Sequence, residues 1–460
     1  MKPHILLFVC DDLRHDALGF AGNPDVYTPH LDQLSRDGTH FSRCYIPGGS
    51  NGAVCMPSRA MIHTGRSVFQ LLGEGQEIAS DQVMMGEYFG QQGYDTFHTG
   101  KWHNERESFH RSFADGDHIF FGGMGDQWAM PVQGYDPQGV YDQAMPAKGV
   151  HATDLFVDAA CGFVKEHESE QPFFLSVALT APHDPRNAPD EFHAMYDAEK
   201  LPLPENFLAM HPHHTGHLSS FSEEGTRTSG ARDEDLASLP RRPAEVKKHL
   251  ADYYAMISHL DDAFGRLRAA MEAKGVWENT LVVFTADHGL AVGQHGLMGK
   301  QNLYDHSLRV PLILCGPGVP VDVSSEELVC HYDVYGSLCE LTNLPVPDSV
   351  HSASLPKIWE GEKGRQEQYI SYERSIRGLI SEGWKLIEYA GPDGYRASQL
   401  FDLMSDPQEK YDRIHDPAQK YRIQKLRERM FVLRESTGDA DHRTGKVFWD
   451  QLDLHTFVKN

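Results

Sequence analysis

The run Ile5-Leu6-Leu7-Phe8-Val9-Cys10-Asp11-Asp12 decides how the rest of the chain is read. A continuous apolar run cannot alternate between core and water, so a strand built from it is covered on both faces, as in a parallel sheet between helices. Two carboxylates follow at once. Ligands gather where the strands of such sheets end, and adjacent carboxylates there repel each other unless a divalent cation lies beside them. The same grammar returns three times. Tyr94 to His98 reads as a short strand before Gly100-Lys101-Trp102-His103, and Pro172 to Leu179 as a buried one before Ala181-Pro182-His183-Asp184-Pro185. Thr280 to Thr285 is the next, before Asp287-His288-Gly289. Four charged clusters therefore each follow a separate apolar strand, the arrangement of one ligand site at one sheet edge.

Between these strands the spacing predicts helices over Val83 to Gln92, Asp154 to His167, Glu245 to Lys274 and Asp333 to Leu341, the first and third stopped by Gly93 and Gly275. Val310 to Leu314 reads as one more core strand. After Pro345-Val346-Pro347 the character changes: Tyr369 to Tyr372, Arg377 to Ser381 and Trp384 to Tyr389 are short segments between turn residues, as in an antiparallel sheet. The expected architecture is an α/β catalytic domain over 1–350 with a mostly parallel sheet, and a smaller α+β subdomain over 351–460. Three stretches read as irregular. Gly38 to Phe41 leads into a loop, and Asn104 to Gly149 reads as pocket walls rich in Gly, Met and aromatic residues such as Phe120, Phe121 and Trp128. Residues 186–245 read as a surface excursion carrying His211, His213, His214 and His217.

Apolar residues at 40% and charged ones at 23% exclude disordered and fibrous classes. A net charge of −24 argues against nucleic acid as a partner, so any anionic substrate must be drawn in by local charge. Seven cysteines over 460 residues form no disulfide framework. Ile5 to Val9 is too short for a membrane span or a signal-peptide core. A cytoplasmic location fits the chain as it stands; a periplasmic or secreted one fits it after loss of a signal peptide.

The chemistry turns on Cys55-Met56-Pro57-Ser58-Arg59, continuing to Thr64-Gly65-Arg66. A helix from this point puts Pro57 in its first turn and Gly65 at its stop, with Cys55 at the positive end and Arg59 one turn on. Negative charge is favoured beside that sulfur. Cys-x-Pro-Ser-Arg followed by Thr-Gly-Arg closely resembles the signature of the formylglycine-dependent sulfatases, in the alkaline-phosphatase-like superfamily, and the likeness extends over most of the chain. The resemblance implies that an activating, formylglycine-generating enzyme oxidises Cys55 to Cα-formylglycine, whose hydrated aldehyde is the nucleophile. It implies a Ca²⁺ or Mg²⁺ site made of Asp11, Asp12, Asp287, His288 and the modified Cys55. Arg59, Lys101 and Lys300 are then the cations around the sulfate, His183 the acid for the leaving group, and His103 the partner of the hydrated aldehyde. The Asp-His form of the 287–288 element also occurs in phosphonate monoester hydrolases, which keeps phosphonate and phosphodiester hydrolysis as the alternative. The general pattern is similar to bacterial polysaccharide sulfatases, so a sulfated saccharide is the expected substrate, with Trp128 facing sugar rings and Arg186 meeting a sugar carboxylate or second sulfate.

Overall fold

The computed structural model describes residues 2–141, 143–213, 232–391 and 394–452. At its centre lies a nine-stranded sheet. Eight strands run in the order Arg309–Val310, Gly38–Tyr45, Leu312–Cys315, Thr280–Ala286, His4–Cys10, Phe173–Ala178, Asp95–Lys101 and Asp115–Phe120, and Val323–Cys330 also pairs with Gly38–Tyr45. Thr280–Ala286, His4–Cys10, Phe173–Ala178 and Asp95–Lys101 are consecutive and parallel. Their C-terminal ends therefore emerge together, with Val9 opposite both Ala178 and Thr285.

Every residue from Ile5 to Cys10 is at most 3% exposed, as an apolar run without alternation requires. Each large side chain so buried contributes about 1.5–3 kcal/mol. Ala152–Glu166 packs on the long helix Pro243–Lys274, and Cys55–Thr64 packs on Met85–Gln91 and Val334–Leu341. Among the described residues no helix is long and apolar enough to cross a membrane. All seven cysteines are unpaired.

Four expectations are corrected here. Gly38–Tyr45 is not a lead-in to a loop but an eight-residue strand; its polar residues Thr39, His40, Ser42 and Arg43 leave no apolar run of the kind that marked the other strands. Asn104 to Gly149 contains the helix Arg106–Ser112, the sheet strand Asp115–Phe120 and a hairpin of Ala129–Val132 with Met145–Lys148. Its strands are rich in Asp, Pro and Met, with Ile119 and Val132 their only β-branched residues, so they give little local signal. The segment from 186 is not wholly superficial, since His211 is buried and its Nε2 meets the Tyr304 hydroxyl at 2.9 Å. His213 meets the Tyr395 hydroxyl, while His214 and His217 lie outside the described residues. The segment read as one strand from Val310 is broken at Pro311, which has no N–H for the ladder.

The second sheet joins Arg396–Asp402, Trp384–Ala390, Ile376–Ser381 and Glu367–Tyr372 in an antiparallel meander, to which Gly48–Gly49 adds a parallel edge. That edge comes just before Cys55. Helix Lys420–Thr437 sets Ile423, Leu426 and Met430 against Leu379, Leu386 and Leu400.

Candidate active site

Three of the strand ends are stitched into one surface by backbone bonds: Asp11 N–H donates to Ala181 O (3.1 Å) and Asp287 N–H to Cys10 O (3.0 Å). Asp12 takes a left-handed backbone, φ 67°, as does His103, φ 70°. Such strain in non-glycine residues persists only where the surroundings enforce it. For Asp12 the enforcement comes from Tyr253 on the long helix, whose hydroxyl donates to Asp12 O (2.7 Å) and accepts from Arg14 N–H (3.0 Å). The Asp95–Lys101 strand approaches its neighbour so closely at Gly100 that a Cβ there would stand 2.0 Å from Ala178 O. Only glycine fits.

Onto this surface Asp11, Cys55, Asp287 and His288 each bring one ligand atom, all within 4.8 Å of one another, and Asp11, Asp12 and His183 form an overlapping group. All six residues are buried. Asp11 Oδ1 and His288 Nε2 have no hydrogen-bond partner. Other buried atoms in the protein also lack partners, but these two converge with Cys55 and Asp287 within 4.8 Å, an arrangement that fits a hard divalent cation of the Ca²⁺ or Mg²⁺ kind. Burial, followed by Asp11, pushes the Asp287 carboxyl up to about 6; burial pulls His288 down, but Asp287 more than reverses this and raises it to about 9.

Three cations face the three carboxylates. Lys101 Nζ contacts Asp11 Oδ2 and Gly123 O and lies 3.4 Å from Cys55 Sγ. Lys300 Nζ donates to Asp12 Oδ1 (2.9 Å). Arg59 donates from Nε to Asp287 Oδ2 (2.9 Å), from Nη1 to Lys101 O (2.8 Å) and from Nη2 to Leu179 O (3.3 Å), tying three strand ends to the Cys55 helix. Burial raises the Cys55 pKa, yet Lys101, His103 and Lys300 together hold it well below the usual thiol range. Any atom at that position is stabilised as an anion. The helix Cys55–Thr64 ends in a left-handed Gly65, its N–H bonded to Met61 O.

His183 Nδ1 donates to Asp184 O (2.8 Å), which turns Nε2 toward Asp12 Oδ2, 3.8 Å away. His103, whose pKa burial lowers while the neighbouring Cys55 raises it, fits only because residue 123 is glycine; a Cβ there would stand 2.7 Å from His103 Nε2. From His103 a cleft of about 680 Å³ runs past Met56, Phe120, Phe121 and Gly122. The other two residues singled out in the sequence are not among these ligand groups and do not line this cleft. Trp128 is half-buried, its Nε1 donating to Asn187 O (2.8 Å) and its ring against His151. Arg186 is 9% exposed and lies over the Tyr253 ring, 5.5 Å from its centroid.

Several supporting residues carried no signal in the sequence. Tyr253 belongs to a periodic helix, and Asn104 ties Met56 O to Gly75 O. Arg232 clasps Asp184 with two bonds of 2.7 Å from 48 residues away. These contacts depend on long-range proximity, which no local pattern encodes.

Comparison with known proteins agrees with this geometry. The sulfatase family profile matches residues 3–344, and that of the N-sulphoglucosamine sulphohydrolase C-terminal region matches 293–436. The chain is 26% identical to an arylsulfatase of Clostridium perfringens over 96% of both chains. It is 29% identical to an ulvan-active sulfatase of Formosa agariphila over 90% of this chain and 78% of that one. A solved structure titled as a complex with its substrate D-glucosamine-2-N,6-O-disulfate superposes with a TM-score of 0.79 at 22% identity, covering 96% of this chain and 99% of the other. With the family profile spanning most of the chain, the protein belongs to the sulfatase family and is a sulfuric ester hydrolase.

Proposed function

We propose that this enzyme removes sulfate from a saccharide, using Cα-formylglycine derived from Cys55 and a divalent cation held by Asp11, Asp12, Asp287 and His288. The observation that carries the reading is the buried Cys55 position 3.4 Å from Lys101 Nζ, beside the unpartnered Asp11 Oδ1 and His288 Nε2. Three carboxylates offset three cations in this cluster, so a divalent ion gives it the net positive charge that receives an ester anion. When bound, the ion acts as a Lewis acid and the aldehyde hydrate supplies a nucleophile.

The chain's own residues do the rest. Lys101 and Lys300 meet the sulfate oxygens as charge shifts onto them, and Arg59 holds the Asp287 carboxylate and the helix of residue 55 in register. His183, oriented by Asp184 O, presents Nε2 as the acid for the leaving oxygen, while His103 serves as the base at residue 55. The cleft along Phe120 and Phe121 suits the faces of sugar rings, and the relatives named for ulvan and for a sulfated glucosamine support a saccharide.

Intact-protein mass tests the nucleophile: sulfur replaced by oxygen with loss of hydrogen at Cys55 is expected. A Cys55→Ser protein, shown to be unmodified, should lose at least about 10³-fold in kcat, since one hydroxyl cannot form a geminal diol. Side-by-side kinetics should favour sulfate over phosphate and phosphonate esters; the reverse preference selects the phosphonate monoester or phosphodiester alternative.

A further inference from the structure

Arg186 is a buried cation that, among the described residues, forms no ion pair or hydrogen bond through any of its three guanidinium nitrogens, although it feels the Asp184 charge. The acid nearest in sequence, Asp184, is already held by Arg232 through both carboxylate oxygens, each at 2.7 Å. The Tyr253 ring beneath Arg186 offers a cation–π contact, which offsets only part of the lost hydration of a guanidinium. Uncompensated buried charges are rare because water solvates them so much better, and an orphaned guanidinium has five donors in a planar fork that matches an oxyanion. Its position links it to the reacting centre: it is three residues beyond His183, and its Tyr253 platform is the residue that holds Asp12.

We infer that Arg186 receives a second oxyanion of the substrate, a sulfate or a carboxylate on the same saccharide as the scissile sulfate, so that the enzyme selects doubly anionic saccharides. This rests on the saccharide sulfatase reading above. Arg186 is thus a residue of specificity that acts on binding and leaves the transfer chemistry to the Cys55 centre.

Matched saccharide pairs test it, each pair carrying one sulfate with or without a second anionic group, in a sulfate arm and a uronate arm. Wild type should prefer the doubly anionic member. Arg186→Gln should shrink that preference, the ratio of the two kcat/KM values, about 10- to 100-fold through KM, and Arg186→Lys should restore part of it. The arm with the larger collapse identifies the second anion. An equal loss on both members of every pair overturns the inference while leaving the sulfatase reading intact; wild-type turnover of phosphate or phosphonate esters alone overturns the reading itself. Thermal unfolding gives an independent check. Removing an uncompensated buried charge should leave the Tm of substrate-free Arg186→Gln equal to or above that of wild type, whereas a Tm several degrees lower assigns Arg186 to the scaffold and overturns the proposal.

Discussion

Two buried charge clusters in this protein have similar composition and opposite states of completion. In the C-terminal part Arg377 and Asp439, whose side chains are both 0% exposed, are joined by Nε–Oδ2 (2.8 Å) and Nη2–Oδ1 (2.9 Å) bonds. The Tyr369 hydroxyl (2.7 Å) and Trp449 Nε1 (2.9 Å) complete the carboxylate, and backbone oxygens and Thr444 complete the guanidinium. At the end of the parallel sheet, by contrast, Asp11 Oδ1 and His288 Nε2 are orphaned, and so are all the nitrogens of Arg186. The difference separates scaffolding from function. A buried polar network that closes on itself specifies one packing, whereas one that stays open at identifiable atoms is complementary to something that is not part of the chain.

Chelation should break the open cluster and spare the closed one, with the largest effect of all. Stripping divalent ions from the mature enzyme is expected to lower kcat by at least about 10²-fold, because the Lewis-acid contribution is several kcal/mol. Adding Ca²⁺ or Mg²⁺ to 100 times its Kd should then raise stability by about 2.7 kcal/mol, read as a concentration-dependent Tm. A Tm indifferent to both ions would put the orphaned acceptors to another use.

The closed cluster should respond in the opposite way. Asp439→Ala leaves Arg377 buried and unpaired, so a loss of about 3–5 kcal/mol in unfolding free energy is expected, with KM of the folded fraction unchanged. A change in KM without loss of stability would show that the two parts of the molecule are coupled through the edge where Gly48–Gly49 joins the second sheet.

The smallest effect concerns a buried histidine that belongs to neither cluster. Burial, followed by the Arg59 charge, pulls His63 down to about 3, and its ring packs on Trp102 at 4.6 Å. The sign follows from proton counting. Between about pH 6.5 and 3 the unfolded chain binds a proton that the folded protein does not, so stability is lost as pH falls through this window, at about 1.4 kcal/mol per pH unit for one group. His63→Phe keeps an aromatic ring there and should flatten the slope of unfolding free energy against pH by that amount. An unchanged slope would mean that His63 takes up its proton in the folded state at an ordinary pH.

Much of the fold was legible because its strongest signals are local. Continuous apolar runs at Ile5, Phe173 and Thr280 leave no solvent face, which dictates a covered sheet, and the charged residues that follow them had to lie at strand ends. Gly38–Tyr45 and the hairpin at Ala129–Val132 escaped because polar residues interrupt the one and the other carries Pro and Met, so partner strands and not propensity hold them.

What the sequence by itself determined, then, is the set of strands whose burial is written in consecutive residues, the helix that begins at Cys55, and the kinds of side chain that collect around it. Only the tertiary structure decided which of these groups are satisfied. Whether Asp11 has a free oxygen, whether Asp184 is spent on Arg232, and whether Arg186 has a counterion depend on atoms brought together from 48 to 275 residues apart, as in the Arg232–Asp184 and Asp12–Asp287 contacts. Hydrogen bonds and ion pairs act over a few ångströms in space and are indifferent to separation along the chain, so their completion is a property of packing alone.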